Sequence, residues 1–175
     1  KDACRAVDQG DEAGAWLGDV LGTGCRLLRM ADDAVRRVDP RYATGPGDQV
    51  GFADGYPLLL TCAESLAELN RRLPAPLPMD RFRPNVVVAG GGGPFAEDGW
   101  GRVRIGPLGF AVARACVRCA VTTVDQAVGA FGGKEPLRTL ARFRRGPSGV
   151  RFGQLLIQEE EGEIAVGDWV TVLDK

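Results

Sequence analysis

The stretch RVRIGPLGFAVARACVRCAVTTV, residues 102–124, decides the fold. It divides into RVRIG, LGFAVAR and CAVTTVD, short pieces rich in β-branched residues with Gly-Pro and polar breaks between them. That pattern predicts two or three strands in quick succession. No helical segment separates them, so a parallel doubly wound sheet is not expected, and a curved, barrel-like sheet is.

Working outward, RPNVVVAG (83–90) predicts a strand upstream, cut by the glycines at 90–93. RFGQLLIQ (151–158) and DWVTVL (168–173) predict strands downstream, and CRLLRM (25–30) another near the start. Residues 1–8 read as the end of a strand belonging to something upstream. Residues 31–56 are polar and loop-like around Gly45, Pro46 and Gly47. The clearest helix is TCAESLAELNRRL (61–73): Thr61 followed by Glu64 matches a capping box, and Leu66, Leu69 and Leu73 share a face. DEAGAWLGDVLG (11–22) predicts a second helix, with Trp16, Leu17, Val20 and Leu21 at helical spacing and Gly22 as its stop. EPLRTLARFRR (135–145), with Pro136 near its start, predicts a short third one. The expected class is α+β, mainly β: a curved β-barrel-like domain with a few peripheral helices.

The chain has 175 residues, 45% hydrophobic and 26% charged, ordinary values for one globular domain with a sizeable core. A net charge of −1 gives no support for nucleic-acid or membrane binding through bulk charge. Histidine is absent, which removes Ser-His-Asp and Cys-His catalysis and every His-ligated metal site. Chemistry must rest on Cys, carboxylates, Arg, Lys, Tyr or a bound cofactor. Five scattered cysteines fit a reducing, intracellular compartment better than a disulfide framework. The chain opens without an initiator Met and reads as a fragment or processed product.

Cys116-x-x-Cys119 is the first candidate for chemistry. It lacks the second pair of a zinc site, and the β-rich AVTTVD after it does not suit a thioredoxin-type helix start. Two small buried residues would also explain it. Arg114 and Arg118 bracket the pair, and cationic neighbours favour the thiolate that binds soft metals. Between Gly99 and Val124 no acid occurs, but Arg102, Arg104, Arg114 and Arg118 do, with Arg81 and Arg83 just upstream. Such arginines form an anion site if strands gather them; Arg102 and Arg104, two apart, read instead as a solvated strand face. Gly91 to Ala96 formally matches G-x-G-x-x-A, but Gly99 and Gly101 break the helix a dinucleotide site requires. Asp54, Gly55, Tyr56 and Asn85 form a polar set that either caps loops or meets a ligand.

MDRFRPNVVVAG (79–90), PFAEDGW (94–100), RIG (104–106), CVRCAVTTVD (116–125), KEPLRTLARFRR (134–145), FGQ (152–154) and VGDWV (166–170) together resemble the MOSC domain family. Within it they look nearest to the mitochondrial amidoxime-reducing components and their bacterial and algal counterparts. The resemblance implies a MOSC domain over residues 10–175, with residues 1–9 the remnant of an upstream N-terminal β-barrel domain. It implies a molybdopterin-bound molybdenum cofactor, ligated by Cys119 as both metal ligand and catalytic residue. Cys116 matches the non-ligand cysteine. Arg83 and Asn85 match pterin-contacting residues. Asp54, Gly55 and Tyr56 match a loop lining the pterin pocket, where small hydroxyl residues are common in place of Gly55 and Tyr56. Val117 stands where relatives often carry Ser, and Arg118 is implied to hold the cofactor through main-chain and side-chain contacts. Gly91 replaces a second, non-ligand cysteine. Asp125 and Glu97 match carboxylates but are assigned no proton-transfer role.

The function implied is reduction of small N-oxygenated substrates, amidoximes or hydroxylamines. Electrons would come from a donor protein of cytochrome b5 or iron–sulfur type, since this chain has no His for haem and no four-Cys cluster pattern. The alternative is a non-redox molybdenum-cofactor carrier or sulfur-transfer domain of a cofactor sulfurase. KEPLRTL and FGQ favour the reductase.

Overall fold

Period-two runs of β-branched and aromatic residues become the strands of the computed structural model, which describes residues 3–174. In chain order the elements are β1 (Ala6–Asp8), α1 (Asp11–Leu21), β2 (Leu28–Met30), β3 (Leu58–Cys62), α2 (Ala63–Asn70), β4 (Val86–Val88), β5 (Arg102–Ile105), β6 (Leu108–Val117), β7 (Val124–Asp125), β8 (Ala130–Phe131), α3 (Leu137–Leu140), β9 (Arg145–Gly146), β10 (Gly149–Gln158) and β11 (Val170–Asp174). Strand outweighs helix, 30% against 20%, and the main sheet curls into half a barrel, the mainly-β architecture expected.

That sheet runs β11-β5-β6-β10-β3-β4, with β9 paired to β10. All its pairings are antiparallel except β3 with β4. β10 is its middle strand, with β6 on one side and β3 on the other. Two bulges bend this centre. β10 gains a residue between the Val117–Arg151 and Ala115–Gln154 pairs, and β6 gains Ala113 between Arg114–Leu155 and Val112–Leu156. Bulges increase local twist and re-aim neighbouring side chains. Gly153 sits in the first, at φ +80. A Cβ there would lie 2.6 Å from Leu60 O and 2.8 Å from Thr61 Cγ2, so no side chain fits.

Three apolar clusters meet around β10. Leu60, Cys62, Val103, Ile105, Phe110 and Leu156 fill the concave face. Leu69, Phe82, Leu140 and Phe152 tie α2 and α3 to the sheet, with the Phe82 and Phe152 rings stacked at 4.0 Å. Val38, Val50 and Ile157 anchor the long loop before β3. Each such side chain contributes roughly 1.5–3 kcal/mol when withdrawn from water.

Several local expectations are corrected. The capping box at Thr61 does not form: Thr61 lies inside β3, paired with Val87, and the hydroxyl meets Met79 Sδ at 3.2 Å. The helix spans Ala63–Asn70 after Cys62, and Glu64 accepts from Gly90 N instead. CAVTTVD is not one strand. Thr122 and Thr123 donate their hydroxyls back to the Cys119 and Ala120 carbonyls, closing a 3₁₀ turn over Ala120–Thr123 before β7. The third helix is a single turn, α3. In α1 the apolar positions Trp16, Val20 and Leu21 stay exposed. Leu69 is buried, with Leu66 and Leu73 packed alongside, as their spacing predicts. Arg102 and Arg104 lie on the exposed face of β5, where Arg102 pairs with Glu159. Among the described residues, no helix is long and apolar enough to cross a membrane.

Candidate functional site

Three stretches far apart in sequence open onto one cavity of about 660 Å³. The loop entering β3 brings Asp54, Gly55 and Tyr56; the turn before β4 brings Arg83 and Asn85; the end of β6 brings Val117, Arg118 and Cys119. All eight residues singled out in the sequence therefore line the same wall. Phe82, Arg114, Cys116, Val121 and Leu155 are among the others that line it. The charged lining is Arg83, Arg114 and Arg118 against Asp54 alone, which favours an anionic occupant.

Each side chain is placed by its local backbone. Cys119 precedes the 3₁₀ turn and is exposed; its carbonyl accepts from Thr122 N and Oγ1, and its sulfur has no hydrogen-bond partner among the described residues. Cys116, three residues earlier, is half-buried. Arg118 Nη1 donates to Cys116 Sγ at 3.0 Å, and Nη2 to Phe82 O at 2.7 Å. The guanidinium thus attends Cys116 rather than Cys119. Burial raises the Cys116 thiol pKa, and Arg118 pulls against that shift. Arg118 N donates to Val150 O at 2.7 Å, so its main-chain N–H is already occupied. Its Nε is buried without a hydrogen-bond partner among the described residues.

Arg83 takes the left-handed conformation, φ 53 and ψ 48, costing roughly 1–2 kcal/mol for a residue with a side chain. Its N–H donates to Asp80 O, and the side chain projects exposed onto the cavity. Asn85 does a structural task as well: its N donates to Leu59 O, and its Oδ1 accepts from Leu59 N, both at 2.9 Å. That clasp extends the β3–β4 pairing to the cavity edge. The Tyr56 hydroxyl is buried; burial raises its pKa, and Arg114 beside it pulls against that shift.

Glu97 and Asp125 do not line the cavity. Glu97 is fully buried, both carboxyl oxygens within 2.8 Å of Ser65 Oγ. Asp125 lies 3.5 Å from Arg81. Among the described residues, no cluster of three or more His, Cys, Asp or Glu side chains is placed to hold a metal ion. A metal at Cys119 would need its remaining ligands from a cofactor.

The family model for the MOSC domain matches residues 47–171, more than half of the chain and every cavity-lining segment. The chain belongs to the MOSC family. It is 37% identical to mitochondrial amidoxime-reducing component 1 of Mus musculus over 179 residues, covering 95% of this chain and 52% of the relative. With the Homo sapiens protein of that name the identity is 39% over 177 residues, at the same coverage. The molybdenum cofactor sulfurase of Oryza sativa subsp. japonica is 34% identical over 181 residues, 93% of this chain and 22% of the relative. This MOSC chain thus spans about half the length of the amidoxime-reducing components it matches. Motif reading did not single out Phe82 or Tyr42 in this MOSC domain. Phe82 supplies the carbonyl that fixes Arg118, and Tyr42 stacks beneath Arg114, with the guanidinium 4.4 Å from its ring centroid. Only packing shows either role.

Proposed function

We propose that this MOSC domain binds a molybdopterin-type molybdenum cofactor and takes part in reducing small N-oxygenated substrates. The observation that carries it is the pairing of an exposed, unpartnered thiol at Cys119 with an arginine-lined cavity. A soft thiolate suits molybdenum, and a fixed cationic wall suits the anionic cofactor. The residues present fit such a group: the exposed Arg83 side chain offers donors to it, and Arg114 and Arg118 add positive charge to the same lining. Cys119 would hold the metal; Arg83, Arg118, Asn85 and the Asp54–Tyr56 loop would hold the pterin. When bound, the cofactor supplies the two-electron redox chemistry.

The chain's own residues do the rest. Arg118, locked by Phe82 O and Cys116, fixes the backbone that presents Cys119. Val117 and Val121, both exposed beside Cys119, give a small organic substrate an apolar approach. Electrons come from a separate donor protein of haem or iron–sulfur type. Five free cysteines suit a reducing, intracellular compartment.

Elemental analysis of protein made in a cofactor-producing host tests the reading. Molybdenum near one per chain is expected in wild type and Cys116→Ser, and none in Cys119→Ser. Equal loss in both variants, or none in either, refutes it. The sulfurase relative, matched over 93% of this chain, supports a second reading as a carrier or sulfur-transfer domain. A loaded protein that reduces neither an amidoxime nor a hydroxylamine with a competent donor favours that one.

A further inference from the structure

A second cavity, of about 530 Å³, adjoins the first, and Asp54, Gly55, Tyr56 and Arg114 line both. Its apolar floor includes Val35, Val38 and Val50. Most polar groups around it are engaged. Arg36 donates to the Gly51, Ala53 and Asp54 carbonyls, and Arg37 to Pro46 O. Asp39 is clasped by Arg41 through Nε and Nη2, at 2.6–3.2 Å. Asp54 is exposed at the rim.

Arg114 differs from these. Among the described residues, no carboxylate lies within ion-pair distance of it. Its guanidinium carbon sits over the Tyr42 ring, 4.4 Å from the centroid, and Tyr42 in turn sits 6.4 Å from the Tyr56 ring. A guanidinium stacked by one face keeps its edge N–H donors for a planar oxyanion. Tyr56 lines the same wall, and its buried hydroxyl faces Arg114, backing the guanidinium from inside. The Ala113 bulge lies directly before Arg114 on β6, where bulges commonly re-aim a side chain.

We infer that Arg114, Tyr42 and Tyr56 form an oxyanion subsite beside the Cys119 cavity, selecting N-oxygenated substrates that carry a carboxylate. This deepens the function proposed above and rests on it for the identity of the reacting group. The shared wall lets one molecule extend from the first cavity into the second. Arg114 is a specificity-determining residue here: it orients the substrate's far end.

The test is isothermal titration of the protein as isolated, without electron donor, using 4-carboxybenzamidoxime and benzamidoxime. Wild type is expected to bind the carboxylated compound roughly tenfold tighter, the effect of one charge-assisted contact. Arg114→Gln should bring that ratio near one. Arg114→Lys, which keeps the charge but loses the fork and the stacking, should fall between, as should Tyr56→Phe. The wild-type comparison stands even if a variant fails to fold. Equal wild-type affinities for the two compounds overturn the subsite. A ratio that stays near ten in Arg114→Gln while its molybdenum content drops also overturns it, and assigns the arginine to the cofactor's phosphate. A carboxylate preference in a molybdenum-loaded protein that, given a competent electron donor in a separate assay, reduces neither compound leaves the subsite standing and defeats the reductase reading.

Discussion

Replacing Gly153 by alanine should weaken the sheet at its centre. Two costs add. At φ +80 an alanine pays roughly 1–2 kcal/mol for the left-handed backbone alone. The new Cβ would also meet Leu60 O at 2.6 Å, Thr61 Cγ2 at 2.8 Å and Leu59 Cδ1 at 3.1 Å. The first of these is main chain of β3, which cannot rotate away, so β3 and β10 must separate. Overpacking of this kind costs about 1–3 kcal/mol. The sum is about 2–5 kcal/mol, a large share of a typical domain's 5–15. At about 2–4 °C per kcal/mol for a chain of this size, Tm should fall by roughly 4–20 °C. Gly22→Ala is the control: at φ +66, with nothing within 4 Å of a new Cβ, it carries the backbone cost without the crowding. Urea denaturation of both variants separates the two contributions. Should Gly153→Ala lose no more stability than Gly22→Ala, the claim that β3 crowds this bulge is wrong.

Ser65→Ala removes the hydroxyl that meets both oxygens of buried Glu97 and accepts from Phe95 N; a loss of about 2–4 kcal/mol is expected by chemical denaturation, and under 1 kcal/mol would contradict it. Asn85→Ala leaves Leu59 N without its acceptor, and should cost about 1–2 kcal/mol and speed amide exchange at Leu59. Under iodoacetamide at pH 8, mass spectrometry should find Cys119 labelled before Cys116, and Cys62 unlabelled in the folded chain, because Cys119 is exposed while burial raises the other two thiols. Hydrogen bonding from Arg41 lowers the Asp39 carboxyl from 3.8 to about 2. Because the folded pKa is depressed, the pair's support for its loop is full above pH 4 and disappears as pH falls through 2. An NMR titration of Asp39 with its midpoint at 4 would remove that contact.

The strands around β6 were legible because their apolar pattern has period two and their breaks are Gly-Pro. Their bulges were not, because an extra residue such as Ala113 leaves the composition of the run unchanged and shows only in register. Thr61 misled for a physical reason: its place beside Val87 in the parallel β3–β4 ladder outweighed a local cap. Thr122 and Thr123 misled in the opposite sense. Their β-branching suggests strand, but their hydroxyls reach back to carbonyls three residues earlier and close a turn. At the cavity, family-like motifs found eight of the lining residues, from three separate stretches. Which cysteine Arg118 touches lay beyond the sequence, because Arg118 is next to Cys119 in the chain and its side chain folds the other way.

The central place of β10 sets when the cavity can exist. The Asp54–Tyr56 loop and the Arg83–Asn85 turn belong to the β3–β4 side of the sheet, and Arg114 to Cys119 to the β6 side. Only β10 joins those sides within the sheet, and it is next to last in chain order. During synthesis the two half-walls therefore wait, unjoined, until residue 158 has left the ribosome. A chain cut short before β10 carries every lining residue but Leu155, and lacks the strand that joins the two half-walls within the sheet.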